Sequence, residues 1–291
     1  MLLRYIRYFL AVAEQENFTR AAERLHISQP TLSQQIRQLE TLLDTPLFDR
    51  SGRKIQLTDA GKVWERYARQ AIRELDDGMR AIHDVEDLHR GFLSLAITPT
   101  FTTYLAAPLV QRFHERYPGI RINLTEMMQS EIEKQIGEDK IDLGIAFTPA
   151  QFTDLDTTVI FQEELAVMVG KHHPLAQRAQ PLSLEDFSQL SFILLSDGFA
   201  TRQHINDYCS RHHIGLRVVI ETNAMNAVEE IVSNSLLATI LPEPVAAQRQ
   251  QLVAVPLAIP LPGRDVILMQ RRNGWHSAAT RAFIHLMTEG K

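Results

Sequence analysis

The stretch from Asn17 to Gly61 constrains this chain more than any other. Leu32, Ile36, Leu39 and Leu43 are spaced four, three and four residues apart, which puts them on one face of an α-helix. Ser28 suits the N-cap of that helix. Pro30 falls in its first turn, where a missing N–H costs nothing. A preceding helix around Thr19 to Leu25 would bury Phe18, Ala21, Ala22 and Leu25, the two alanines allowing close approach. Only His26, Ile27 and Ser28 separate the two helices, which suits a helix-turn-helix. Gln29, Thr31, Ser33, Gln34 and Arg37 lie off the apolar face, next to Pro30 at the helix start. Gln can pair with adenine, Arg with guanine, and Ser or Thr with either. Ser33 and the first amides could instead hold phosphate. A polar helix face can also simply meet water, so the helix alone leaves both readings open. The next segment favours DNA. Phe48 to Leu57 reads as two short strands around Ser51-Gly52, carrying Arg50, Arg53 and Lys54. Basic side chains on a turn beside such a helix suit backbone or minor-groove contact.

Five strings in this block carry a family resemblance: Phe18-Thr19-Arg20-Ala21-Ala22, Ser28-Gln29-Pro30, Leu32-Ser33 with Ile36 and Leu39-Glu40, Leu47-Phe48-Asp49-Arg50, and Leu57-Thr58-Asp59-Ala60-Gly61. In order and spacing they resemble the N-terminal domain of LysR-type transcriptional regulators. The resemblance implies an all-α winged helix-turn-helix followed by a two-lobed α/β effector domain of the periplasmic-binding-protein type. It also implies double-stranded DNA, a small-molecule effector and RNA polymerase as partners, and a homo-oligomer built as a dimer of dimers. Three further strings resemble the family's cyanate-operon regulator: Arg80-Ala81-Ile82-His83-Asp84-Val85, Thr98-Pro99-Thr100-Phe101-Thr102 and Gly144-Ile145-Ala146-Phe147. They imply cyanate as effector, activation of a cyanate-metabolism operon and repression of the regulator's own gene. The alternative is a regulator of another pathway with a different small anionic effector.

A length of 291 residues allows two or three domains. The expected division is residues 1–57 for DNA binding, 58–90 for a linker helix and hinge, and 91–291 for the effector. Within the last, lobe I takes about 91–160 plus 266–291, and lobe II about 161–265. The net charge of −5 is unevenly spread. Residues 1–64 carry nine Lys/Arg against seven Asp/Glu, so the N-terminal part is +2 and the remainder −7. No apolar run of about 18 residues predicts a membrane span, Arg4 and Arg7 interrupt any signal-peptide pattern, and a lone Cys209 fits a reducing cytoplasm.

Residues 2–15 read as a first helix, with Ile6, Phe9, Leu10 and Ala13 on one side. From a Thr58 cap a second helix runs towards Leu88, roughly 45 Å at 1.5 Å per residue. Trp64, Ala68, Ala71, Leu75, Gly78, Ile82 and Val85 form a weak heptad seam along it. That seam either dimerises or packs on its own domain. Dimerisation is the preferred reading, since paired helix-turn-helix units read two half-sites. After a hinge at His89-Arg90-Gly91 the pattern alternates. Strands are expected at 92–97, 120–125 and 141–147, with helices at 104–117 and 132–138 between them. This order predicts a parallel α/β sheet. The second unit has strands at 165–169 and 192–195, a helix at about 201–212, continued alternation through 216–220, 228–232 and 237–241, and a late strand at 266–269. A final helix, 278–287, returns to the first unit.

Ligands of open α/β sheets bind beyond the carboxyl ends of strands, near helix N-termini. Thr98, Thr100 and Thr102 follow the first strand, Thr148 follows Phe147, and Thr201 with Arg202 opens a later helix. With Gln129 and Asn223 they are the candidate effector residues. Each threonine could equally be an ordinary N-cap, and Arg202 could pair with an anion or face solvent. His172-His173 and His212-His213 lack zinc-site spacing and read as surface histidines. No Gly-x-Ser-x-Gly elbow, Walker motif or GxGxxG is present, so no cofactor is expected. An α/β enzyme with an attached DNA-binding domain, the remaining alternative, therefore lacks a catalytic constellation.

Overall fold

In the computed structural model, which describes residues 2–50, 55–83, 88 and 90–289, the chain divides into two units, residues 1–85 and 86–291. The first contains α1 (Leu2–Gln15), α2 (Phe18–Arg24), α3 (Gln29–Leu42), β1 (Phe48–Asp49), β2 (Gln56–Leu57) and α4 (Asp59–His83). Local chemistry sets the boundaries. Asn17 caps α2, its Oδ1 accepting from the Thr19 and Arg20 amides. Ser28 caps α3 by accepting from the Thr31 amide at 3.3 Å, with Pro30 in the first turn. Between them His26 takes a positive φ of 53°, and this left-handed residue turns the chain. The apolar face of α3 is then buried. Leu32, Ile36 and Leu39 pack with Phe9, Val12, Ala21, Ala22 and Leu47, each large side chain contributing roughly 1.5–3 kcal/mol by burial.

Thr58 starts α4, its Oγ1 accepting from the Gly61 amide and donating to the Pro46 carbonyl. The first two seam positions do not look outward. Trp64 is half-buried and Ala68 buried, and with Ile72 they pack on the helix-turn-helix core. Arg69 further ties α4 to Glu14 of α1. The apolar side chains left exposed on α4 include Val63, Tyr67 and Leu75. Val85, the last seam position, lies outside the described residues.

The second unit begins with β3 (Gly91–Ile97), α5 (Pro99–Thr102), α6 (Ala106–Arg116), β4 (Ile120–Glu126), α7 (Gln129–Gly137), β5 (Leu143–Phe147) and β6 (Leu155–Glu163). It continues with β7 (Leu165–Gly170), a single 3-10 turn at Pro174–Gln177, α8 (Leu184–Gln189), β8 (Ser191–Leu195), α9 (Ala200–Arg211) and β9 (Arg217–Thr222). Then come α10 (Met225–Ser233), β10 (Ala238–Pro242), α11 (Glu243–Gln248), β11 (Leu252–Val255), β12 (Arg264–Arg271) and α12 (Ala278–Thr288). Two five-stranded sheets result, ordered β4-β3-β5-β12-β6 and β11-β7-β10-β8-β9.

Both sheets are mixed, where the first was expected to be parallel. β12 runs antiparallel to both β5 and β6, and β7 antiparallel to β10 and β11. Strands β6 and β11 were not foreseen. In β6 the polar run Asp156-Thr157-Thr158 masks the apolar positions. The 228–232 segment lies in α10, and the helix expected over 104–117 is α6, which starts at Ala106 and ends at Arg116. The chain passes from lobe I to lobe II between Glu163 and Leu165 and returns before Arg264. One apolar core spans both lobes, joining Leu95, Phe101 and Phe113 to Ile193, Val228 and Leu241. Among the described residues no helix is long and apolar enough to cross a membrane.

Candidate DNA surface and effector cleft

On α3 the residues singled out for DNA stay outside the core. Gln29, Pro30, Thr31, Gln34 and Arg37 are exposed and Ser33 is half-buried. The Thr31 hydroxyl shares a hydrogen bond with Ser28 Oγ at 2.7 Å, so part of its capacity serves the cap. Arg50, expected as a basic wing residue, already has partners within the unit. Its Nη2 donates to Glu40 Oε2 at 2.7 Å, and its guanidinium sits over the Phe18 ring. Arg53 and Lys54 lie outside the described residues. Glu40 itself was overlooked. Its other oxygen, Oε1, accepts from the Leu47 and Phe48 amides at 2.9 and 3.2 Å. One carboxylate on α3 thus fixes the start of β1.

In the second unit the carboxyl ends of β3, β5 and β8 and the starts of α7 and α9 surround a cleft of about 480 Å³. Thr98, Thr100, Gln129, Thr148 and Thr201 line it, joined by Ser130, Gln203, His204, Asp207 and Arg264. Gln129 holds its own rim. Its Nε2 donates to the Phe147 and Pro149 carbonyls, while Oε1 accepts from the Phe147 amide. Three other candidates lie elsewhere. The Thr102 hydroxyl turns away to Glu126 Oε2 at 2.6 Å. Arg202 neither faces the cleft nor points freely to solvent, because Nη1 donates to the Leu195 carbonyl and to Glu221, each at 2.9 Å. Asn223 is exposed at the end of β9, the edge strand of lobe II, away from the crossing strands.

Sequence reading missed the floor of the cleft. Arg264, at the start of β12, is 6% exposed and lies 3.6 Å from the Phe147 ring centroid. Its Nε donates to Glu163 Oε2 at 2.6 Å and its Nη2 to Thr201 Oγ1 at 2.9 Å. Tyr104 donates its hydroxyl to Glu163 Oε1. Tyr104 and Glu163 belong to lobe I and Thr201 to lobe II, so this polar cluster ties the lobes together. Burial pushes the Glu163 carboxyl above the ordinary carboxylate range, with Arg264 pulling it back. Burial likewise holds the His204 ring below its usual value, so it is neutral at pH 7. Three buried polar atoms on lining residues lack a protein partner: Thr98 Oγ1, Thr100 Oγ1 and Arg264 Nη1. A buried group left so costs about 1–3 kcal/mol. The only sequence signals were single charges, Arg264 and Glu163, at the ends of their strands. Their pairing across the β6–β12 ladder is invisible in one dimension.

Residues 3–62 match the model for the bacterial regulatory helix-turn-helix protein of the lysR family, and residues 86–291 match the LysR substrate binding domain. The chain belongs to the LysR family. This LysR-family regulator is 30% identical over 288 residues to a "Probable RuBisCO transcriptional regulator" of Trichormus variabilis, covering 96% of the chain and 85% of the relative. It is 30% identical over 276 residues to the "Transcriptional dual regulator GltC" of Bacillus subtilis, covering 94% and 92%. A full-length OxyR variant from Pseudomonas aeruginosa superposes with a TM-score of 0.71 at 23% identity, covering 99% of this chain and 94% of that one. CbnR complexed with its target DNA gives 0.61 at 24%, covering 98% of each. These two structures speak for the fold. Family and relatives make the chain a DNA-binding, effector-responsive transcriptional regulator rather than an enzyme.

The one cysteine of this LysR-family regulator is buried, and burial pushes its thiol up to about 11. The thiolate is the reactive form, so Cys209 is expected to be inert at neutral pH. Labelling of the native chain by a disulfide reagent at pH 7.5 should be at least about tenfold slower than after denaturation. Equal rates would show an accessible, activated thiol.

Proposed function

We propose that this regulator finds its operator through Gln29, Pro30, Thr31, Ser33, Gln34 and Arg37 on α3. The wing residues Arg53 and Lys54 grip the DNA backbone, and Arg50 acts from its Glu40 pair. A small anion in the interlobe cleft is the signal. Thr98, Thr100, Thr148 and Thr201 form its threonine lining. The three partnerless buried polar atoms on cleft residues carry this reading. Cyanate is the leading effector, supported by the strings at 80–85, 98–102 and 144–147. The target is then a cyanate-metabolism operon, activated in the cytoplasm through contact with RNA polymerase, with the regulator's own gene repressed. Exposed Val63, Tyr67 and Leu75 on α4 supply apolar surface for a dimer, and two dimers make the tetramer. Closure of the lobes around the ligand changes DNA bending, to the extent that the ligand prefers the closed state.

The cleft volume supports a second reading, a larger anionic metabolite of another pathway. About 480 Å³ falls within the roughly 300–1,000 Å³ of pockets for metabolite-sized or drug-sized ligands and exceeds what a triatomic ion fills.

The test is a footprint on DNA upstream of the protein's gene and its divergent neighbour, with and without cyanate. A protected dyad whose length or bending changes with cyanate is the expected result. Protection indifferent to cyanate discards that effector and favours the larger anion. No protection at modest salt removes the DNA reading for that region. Gln29→Ala should weaken specific binding by about 1–3 kcal/mol, or roughly 5- to 150-fold, without weakening non-specific binding. Unchanged specificity would remove Gln29 from base recognition.

A further inference from the structure

The charge of the cleft narrows the ligand beyond a generic anion, given the effector reading above. Arg264 is the sole Lys or Arg among the described lining residues, and Asp207 the sole carboxylate. His204 is neutral there. The Arg264 charge is already matched by Glu163, whose Oε2 accepts the Nε hydrogen bond at 2.6 Å. Tyr104 holds the other Glu163 oxygen, so the carboxylate cannot swing away without breaking a buried contact. What remains for a ligand is one partnerless guanidinium nitrogen, Nη1, with hydroxyls at Thr98 and Thr100 and the N-terminal ends of α7 and α9. The helix ends add fractional positive charge only. One ligand charge is therefore met by a cation shared with Glu163. A second would find no cation and would add to repulsion from Glu163 and Asp207.

We infer that the cleft selects monovalent over divalent anions, with Arg264 Nη1 as the anchor and Glu163, fixed by Tyr104, as the residue that sets the charge limit. Glu163 is a positioning residue. It touches Arg264 rather than the ligand, and it tunes how much of the cation's charge the ligand meets. Glu163→Gln keeps the shape of the side chain and its capacity to bond both Arg264 and Tyr104, but removes the competing charge. A merely structural glutamate predicts weaker or unchanged ligand binding in that variant. A charge-limiting one predicts tighter binding.

The experiment is titration calorimetry of the full chain at fixed ionic strength with cyanate, nitrate and sulfate. The wild type should bind the two monoanions at least about tenfold more tightly than sulfate. Glu163→Gln should tighten all three, sulfate most, by about tenfold. Arg264→Gln should abolish binding. Because that variant strands a buried carboxylate and risks unfolding, the weight falls on Glu163→Gln. Sulfate binding as tight as cyanate, or no gain in Glu163→Gln, overturns the charge rule and leaves the effector reading standing. If none of the three binds the wild type, the charge rule falls together with the cleft's role for small anions. The footprint scores the DNA function independently.

Discussion

Gly61→Ala is expected to destabilise the DNA-binding unit by about 1–3 kcal/mol or more, as overpacking does. The position lies in the first turn of α4, where alanine normally gains up to about 1 kcal/mol over glycine. Here the gain is overridden. A Cβ at residue 61 would lie 2.1 Å from the Leu47 carbonyl oxygen. That oxygen is fixed, because it accepts from the Thr58 amide at 3.0 Å while the Leu47 amide donates to Glu40. Neither backbone can yield without loosening the wing. Urea unfolding of the wild type and the variant measures the loss. Gly137→Ala, where an added Cβ meets nothing within 4 Å, is the control and should be neutral or slightly stabilising. A Gly61→Ala midpoint equal to the wild type would show that the close approach is absent in solution.

Arg264→Ala should cost the effector domain about 3–5 kcal/mol, because it leaves the buried Glu163 carboxylate without its cation. The loss should depend on pH with a definite sign. Burial already raises the Glu163 carboxyl in the wild type, with Arg264 opposing. Without Arg264 the folded-state value climbs further above the unfolded one. A group raised on folding is fully tolerated below its unfolded value, roughly 4.3, and penalises the fold as pH rises through its folded value. The gap in melting temperature between wild type and variant should therefore be smaller at pH 5 than at pH 8. A gap that is constant, or wider at low pH, would mean that Glu163 stays ionised or is hydrated in the variant.

The parts that were legible in the chain share a cause. In α3 the four-three-four spacing, a serine cap and a proline in the first turn act within one element, and local rules suffice. Thr98 and Thr148 directly follow apolar strands and Thr201 opens a helix, so these places could be read without knowing which strands pair. The misses are long-range. β12 lies between β5 and β6 though it enters the chain a hundred residues later, which makes the sheet mixed and brings Arg264 opposite Glu163. Arg202 read as a candidate because it sits beside Thr201. Successive helix positions face about 100° apart, though, and the guanidinium turned to Glu221 while Thr201 turned to the cleft. Glu40 looked like one more polar helix residue until the chain folded back to place Leu47 and Phe48 on it.

The last of these bears on how such regulators could exchange operators. Recognition helices invite transplantation as self-contained cassettes. In this chain the carboxylate that seats the wing is itself part of the recognition helix, and the arginine it also holds lies beyond the first wing strand. Altering the helix without position 40 would re-aim the wing, and altering the wing without position 50 would leave that carboxylate half-used. Any exchange of α3 between relatives therefore has to carry positions 40 and 50 together.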